Sequence, residues 1–512
     1  MSRRPLTSAS VAPAARPWGG RLRHLPHRSL VRPVALVLAL ALLMTVLGWV
    51  PLGPEPESRR PRHELPYAVA APGSSAKKVL AHYFPPYPIS LDNGDPRSDY
   101  YTRNYLSPDG EGGKYRAVGG LLRDRPLPRD PVVEEDYEAV DARTEISQAS
   151  AAGIDGFTID ILDWSGPLWD RTLRMGEAAT ESGKDFVVVP NLDLASDADD
   201  AEPSYISDRL AEFFSSPSAY RLADGRYVLS SFKAEARSVD WWTTVTHDLA
   251  QRHGIQVALL SVLLDASQHN LEEYAPISYA LSVWGLRTPT SIENAPDQAG
   301  AAHRLGVKWM APVAVQDVRH HFLRYAEAEN TGTLRASWSR AISDDADLVQ
   351  LVTWNDYSES TQFAPSSAHG WSFLDVNGYY LTQFKSGEPP AVTGDELVVT
   401  HRIQSYAAAP TVQRGSMDPT LSGSGVEPRD TVEVLAMLRA PATITLRVGA
   451  TETALAVAAG VSTVLVPLQE GVVSASAARS GRVVAAVTSP HHVVASLSYY
   501  DLQYYAASSR KE

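Results

Sequence analysis

Cysteine is missing from all 512 residues. Disulfides, thiolate nucleophiles and cysteine-held zinc are therefore excluded; the compartment stays open, because an exported protein need not use disulfides. Positive charge is also scarce, with 46 Lys and Arg against 59 Asp and Glu and a net charge of -13. That balance argues against nucleic acid as a partner and suits a neutral substrate. No Gly-rich phosphate-binding turn follows the first strand-like run, where an open doubly wound sheet would most often carry one. Hydrophobic content, at 44%, is ordinary and sufficient for a large core, and the length predicts two or three units.

Long apolar runs are absent with one exception. Residues 1–33 hold seven arginines and no acid, and Val34 to Val50 then runs without charge. The length lies between a signal h-region and a spanning helix, and the upstream arginines predict a basic cytoplasmic N-terminus with the remainder exported. The small-residue site Ala68-Val69-Ala70 lies far from the run, which favours an uncleaved membrane anchor over a removed signal peptide. The expected location is the outer face of the membrane, or outside the cell if the segment is removed. Residues 51–76, rich in Pro, charge and small side chains, read as a linker.

From Lys77 onward, short β-rich apolar runs alternate with helical segments. Eight runs precede residue 360: Val79–Phe84, Ile154–Ile159, Phe186–Val189, Tyr227–Phe232, Val257–Leu264, Ile277–Val283, Lys308–Val315 and Leu348–Trp354. Helical stretches over residues 134–152, 168–182 and 241–253 each stop at a glycine, Gly153, Gly183 and Gly254, a common helix terminator. Eight βα repeats predict an α/β fold, a (β/α)8 TIM barrel over residues 77–395. Beyond it, short strands separated by Gly, Pro and Asp predict an all-β sandwich-like domain over 396–505, with 506–512 as a frayed tail.

In such a barrel the chemistry belongs at strand C-terminal ends. There stand His82 and Tyr83, Asp160, Asn191 and Asp193, Glu235, Trp284, and finally Trp354, Asn355, Asp356, Tyr357 and Glu359. Acids and amides mixed with aromatic rings suit a carbohydrate cleft, where carboxyls supply acid and base and rings stack on sugars. Asp356 and Glu359 form the candidate catalytic pair; the other ten are candidate substrate contacts. Spacing leaves the stereochemistry and the assignment of acid and base open, and the chemistry needs no metal or cofactor. A non-catalytic glycan-binding surface protein is the alternative reading.

The segments VLAHYF (79–84), GIDGFTID (153–160), YRLADGRYVLSSFKAE (220–235), TWNDYSES (353–360) and GYYLTQFKSG (378–387) resemble glycoside hydrolase family 71, the endo-1,3-alpha-glucanases or mutanases. The resemblance covers about residues 77–390. It implies a barrel that hydrolyses α-1,3-linked glucan with inversion, using Asp356 and Glu359. Two features depart from the family pattern: Ser358 stands where Gly is usual, and Thr361-Gln362 replaces His-Tyr. The Thr-Gln ending is similar to family 99, which acts on mannosides, so an α-mannosidase-like hydrolase is a further alternative.

Overall fold

A computed structural model describes residues 64–510 apart from Ser90, 96–97, 134–135, 197–200 and 422–425. The apolar run at 34–50, and with it the expected anchor, lies outside the described residues. Among those described, no helix is long and apolar enough to cross a membrane.

Eight parallel strands close into a barrel: β1 Lys78–Tyr83, β2 Gly156–Ile161, β3 Val187–Asp193, β4 Tyr227–Phe232, β5 Val257–Leu263, β6 Ser278–Val283, β7 Lys308–Ala314 and β8 Leu348–Val352. The last strand lies between β1 and β7. The runs are apolar because both faces are covered, by helices outside and by barrel side chains inside. Leu80, Val189, Val228, Leu260, Ala280, Met310 and Leu348 form the interior cluster. Because side chains alternate along a strand, positions two residues further on share that interior face. They are His82, Asn191, Ser230, Val262, Ser282, Pro312 and Gln350, and a further step reaches Asp193, Phe232 and Trp284 among others. The interior thus turns from apolar to polar and aromatic toward the C-terminal mouth.

The helix Tyr137–Ala151 ends before Gly153, whose φ of +86° is left-handed. A Cβ there would lie 2.6 Å from the Ala70 carbonyl oxygen, so glycine is required twice over. That contact corrects the linker reading for residues 64–76. The segment is a strap fastened to the barrel's N-terminal end, with Tyr67 buried, Thr393 N–H donating to the Pro66 carbonyl at 2.7 Å and Ala70 N–H to Thr382 Oγ1 at 3.0 Å. Asp155 joins the strap to the barrel, accepting from Gly73 and Val79 N–H at 2.7 Å each and pairing with buried Lys385 at 2.7 Å. Its Pro and small residues suit an extended path rather than a flexible tether.

The C-terminal region is two four-stranded antiparallel sheets. Its strands are β9 Asp395–His401, β10 Thr431–Leu438, β11 Ala442–Val448, β12 Thr451–Val457, β13 Gly460–Pro467, β14 Val473–Arg479, β15 Arg482–Thr488 and β16 Tyr505–Ser508. One sheet runs β13-β10-β9-β16, the other β12-β11-β14-β15. Along β10, Val432, Val434, Ala436 and Leu438 face the second sheet, while Leu435 and Met437 join the barrel's own core. The first sheet is therefore a middle layer buried on both faces. One expectation is corrected here: residues 506–508, expected within a frayed tail, continue a strand paired with β9.

Candidate active site

The loop after β8 is closed on itself. Thr353 N–H donates to the Thr361 carbonyl at 3.1 Å, their hydroxyls pair at 2.9 Å, and Phe363 N–H returns to the Thr353 carbonyl at 3.0 Å. Asn355 binds the loop after β1 as a strand would, its Oδ1 accepting from Phe84 N–H at 2.7 Å while Nδ2 donates to Phe84 and Tyr87 carbonyls. Trp354 is fully buried and donates Nε1–H to Glu145 Oε1 at 3.1 Å; Tyr83 donates its hydroxyl to the other oxygen at 2.9 Å. Burial pushes the Glu145 carboxyl up to about 8. Tyr83, Trp354 and Tyr357 consequently have no free ring face, and with Asn355 they support the loop instead of stacking on substrate.

On that base stand the two acids. Asp356 Oδ1 accepts from Ser358 N–H at 2.9 Å, Ser358 Oγ at 2.7 Å and Glu359 N–H at 3.3 Å. Burial nevertheless holds the Asp356 carboxyl above its ordinary range, with the Ser358 donors and Arg319 opposing. Ser358 adds a donor that glycine would lack. Glu359 is pushed well upward by burial and then by the charges of Asp317 and Asp356, against Arg319 and Arg287. Arg319 Nη1 lies 2.8 Å from Glu359, yet its charge is shared, since Nε and Nη2 form two 2.8 Å bonds with Asp317. Burial and two carboxylates thus outweigh the shared Arg319 and the more distant Arg287, and the Glu359 carboxyl is raised.

A two-stranded ribbon after β7, Val318–Arg319 with Arg324–Tyr325, carries that arginine. Val318 N–H donates to the Glu359 carbonyl at 2.7 Å, and Ser360 Oγ donates to the Val318 carbonyl at 3.2 Å. The outer side of the ribbon belongs to the C-terminal region: Tyr325 N–H donates to the Asp418 carbonyl at 2.9 Å, and Val318 and Tyr325 pack with Met417, Tyr500 and Leu502.

The barrel mouth gathers other expected residues. His82 Nε2 lies 3.5 Å from Asp160 Oδ1, to which Asn191 Nδ2 donates at 3.0 Å. Trp284, half-buried, meets His82 edge-on at 4.9 Å and Phe232 at 4.7 Å. Asp193 bends its own loop by accepting from Ala195 N–H at 2.7 Å. Glu235 acts as a bracket, its Oε1 taking the N–H groups of Leu264 and Asp265 at 2.8 Å each. Asp317, Arg319, Arg287 and Glu145 are absent from the sequence-based site. Asp317 carried a usable signal, an acid just past β7, whereas the arginines and Glu145 join only through tertiary contacts. Among the described residues, no group of three or more His, Asp and Glu is placed to hold a metal.

Comparison with known proteins adds the lineage. The chain is 24% identical over 401 residues to a glucan endo-1,3-alpha-glucosidase of Schizosaccharomyces pombe, covering 72% of this chain and 90% of that one. It is also 24% identical over 405 residues to a mutanase of Penicillium rubens, covering 74% and 87%. Among solved structures, a GH99 endo-alpha-mannosidase from Bacteroides thetaiotaomicron overlaps 60% of this chain and 97% of its own at 11% identity, with a TM-score of 0.47. The family model of glycosyl hydrolase family 71 matches residues 132–512. That match takes in the C-terminal sheets, which the resemblance read from the sequence left uncovered. With its barrel, its carboxyl pair after β8 and a match over most of its length, the chain belongs to glycosyl hydrolase family 71.

Proposed function

We propose that this glycoside hydrolase cleaves α-1,3-linked glucan with Glu359 as general acid and Asp356 as general base. The observation that carries the roles is the unequal treatment of two carboxyls on one loop. Glu359 is pushed well upward by burial and flanking carboxylates; Asp356 is raised by burial as well, but three donors oppose that shift and favour its charged form. Glu359 gives its proton to the glycosidic oxygen as the bond to the anomeric carbon breaks. Asp356 takes a proton from the water whose oxygen bonds that carbon, so the configuration inverts. The glucan linkage is supported by the relatives named glucan endo-1,3-alpha-glucosidase and mutanase. Export is supported by the arginine-rich start and the apolar run at 34–50. NMR of the first product from α-1,3-gluco-oligosaccharides tests the mechanism. The β-anomer is expected at first turnover, the α-anomer rejects inversion, and no product rejects the function.

Arg319 offers a signed pH test. Its charge lowers both Asp356 and Glu359, and the groups facing it are those two carboxyls, Asp317, the cation Arg287 and the His321 ring. Removing the cation makes both ionisations harder. Arg319→Gln should therefore move both limbs of the kcat/KM profile to higher pH. Unmoved limbs would exclude this coupling.

A further inference from the structure

The excursion after β1 contributes a row of rings that the acid pair does not use. Tyr87 packs against Tyr357 at 6.1 Å, in the loop that carries the two acids. Outward from it, Tyr87 meets Tyr105 at 6.2 Å and Tyr105 meets Tyr115 at 6.3 Å. Tyr115 meets His321 at 6.4 Å, and His321 meets Phe322 at 4.0 Å. The row thus passes from the β1 loop to the tip of the β7 ribbon. In the barrel, β8 lies between those strands and bears the acids, so the row borders the rim directly outside the pair.

Cover thins along the row. Tyr87 is buried, Tyr105, Tyr115 and His321 are half-buried, and Phe322 is 62% exposed. Packing explains the inner rings. Phe322 differs in standing out in water at the tip of a turn, where it adds little to the core and continues the row of rings. Aromatic faces with few polar groups suit the apolar faces of neutral sugar rings, and tyrosine adds a hydroxyl for hydrogen bonding.

We propose that Tyr105, Tyr115, His321 and Phe322 form distal glucan subsites running from the acid pair over the β8 rim, so that several sugar units beyond the cleaved bond are held. The inference rests on the glycan-hydrolase reading above. Phe322→Ala, chosen because an exposed side chain leaves folding intact, is compared with the full-length wild type on α-1,3-glucan polymer and on a short α-1,3-gluco-oligosaccharide. The ratio of kcat/KM on polymer to that on the short substrate should fall about tenfold, equivalent to one lost ring contact. Phe322→Tyr, which keeps a ring, should restore it. In parallel, Glu359→Gln should be retarded in gels containing α-1,3-glucan, and adding Phe322→Ala should reduce that retardation. An unchanged ratio together with unchanged retardation, in an enzyme that does cleave the polymer, overturns the subsites. A wild type that cleaves and binds no α-glucan overturns the function first, and the subsites with it.

Discussion

Glu359→Gln loses on the order of 10²–10⁴-fold in kcat on α-1,3-glucan, the usual worth of a positioned general acid, with its unfolding midpoint nearly unmoved. The substitution keeps size and hydrogen-bonding capacity but has no proton to give at the leaving oxygen. Folding tolerates it because Arg319 keeps two 2.8 Å bonds to Asp317, and the Val318 bond to residue 359 uses only its backbone. Asp356→Asn should fall in the same range. Its remaining oxygen still accepts from Ser358, so the loop keeps its turn while water loses its base. Because the two act in one step, the double variant should be much less impaired than the product of the single losses implies. Near-wild-type rates in both folded single variants would move the chemistry to another carboxyl of the mouth, Asp160 or Asp317.

Glu327→Ala is expected to cost about 3–5 kcal/mol of stability, because it strands a buried cation. Glu327 pairs with Arg402 at 3.0 Å, with both side chains essentially inaccessible, and accepts from the Tyr504 hydroxyl at 2.7 Å. The arginine in turn lies over the Tyr504 ring at 4.3 Å and donates Nε–H to the Leu502 carbonyl at 2.8 Å. These contacts fasten the middle sheet to the barrel loop that holds the ribbon, so activity should fall with stability. Replacing both partners by apolar residues of similar volume, Glu327→Leu with Arg402→Met, should cost less than Glu327→Ala alone. Urea unfolding of the three proteins measures this. A single variant within about 1 kcal/mol of wild type, the scale of a surface pair, would show that the contact does not hold the two parts together.

Much of the barrel was legible because fully covered parallel strands appear as unbroken apolar runs. The expected run at Tyr227–Phe232 coincides with β4, and those at 257–264 and 308–315 overrun β5 and β7 by one residue. The expected run stops at Val189, short of the end of β3, because Pro190, Asn191 and Asp193 look like loop residues; Asn191 and Asp193 are polar since this end of the interior faces the mouth. In the C-terminal sheets, β14 is hard to read because its sequence, VSASAAR, offers small residues instead of an apolar alternation. β16 crosses the expected boundary at residue 505 for the same reason, Tyr505 being followed by two alanines. Within the site, the acids were visible as a pair after a strand. The rings beside them look like sugar platforms in the sequence, whereas Trp354 is held by Glu145 across 209 positions, a contact that leaves no local mark.

The most direct test is to offer the full-length protein equal amounts of α-1,3-glucan and α-mannan and measure reducing sugar released, with Glu359→Gln in parallel. Release from α-1,3-glucan alone, abolished in the variant, is the predicted result. Release from mannan but not glucan, or equal release by the variant, would contradict an α-1,3-glucanase working through the β8 carboxyl pair.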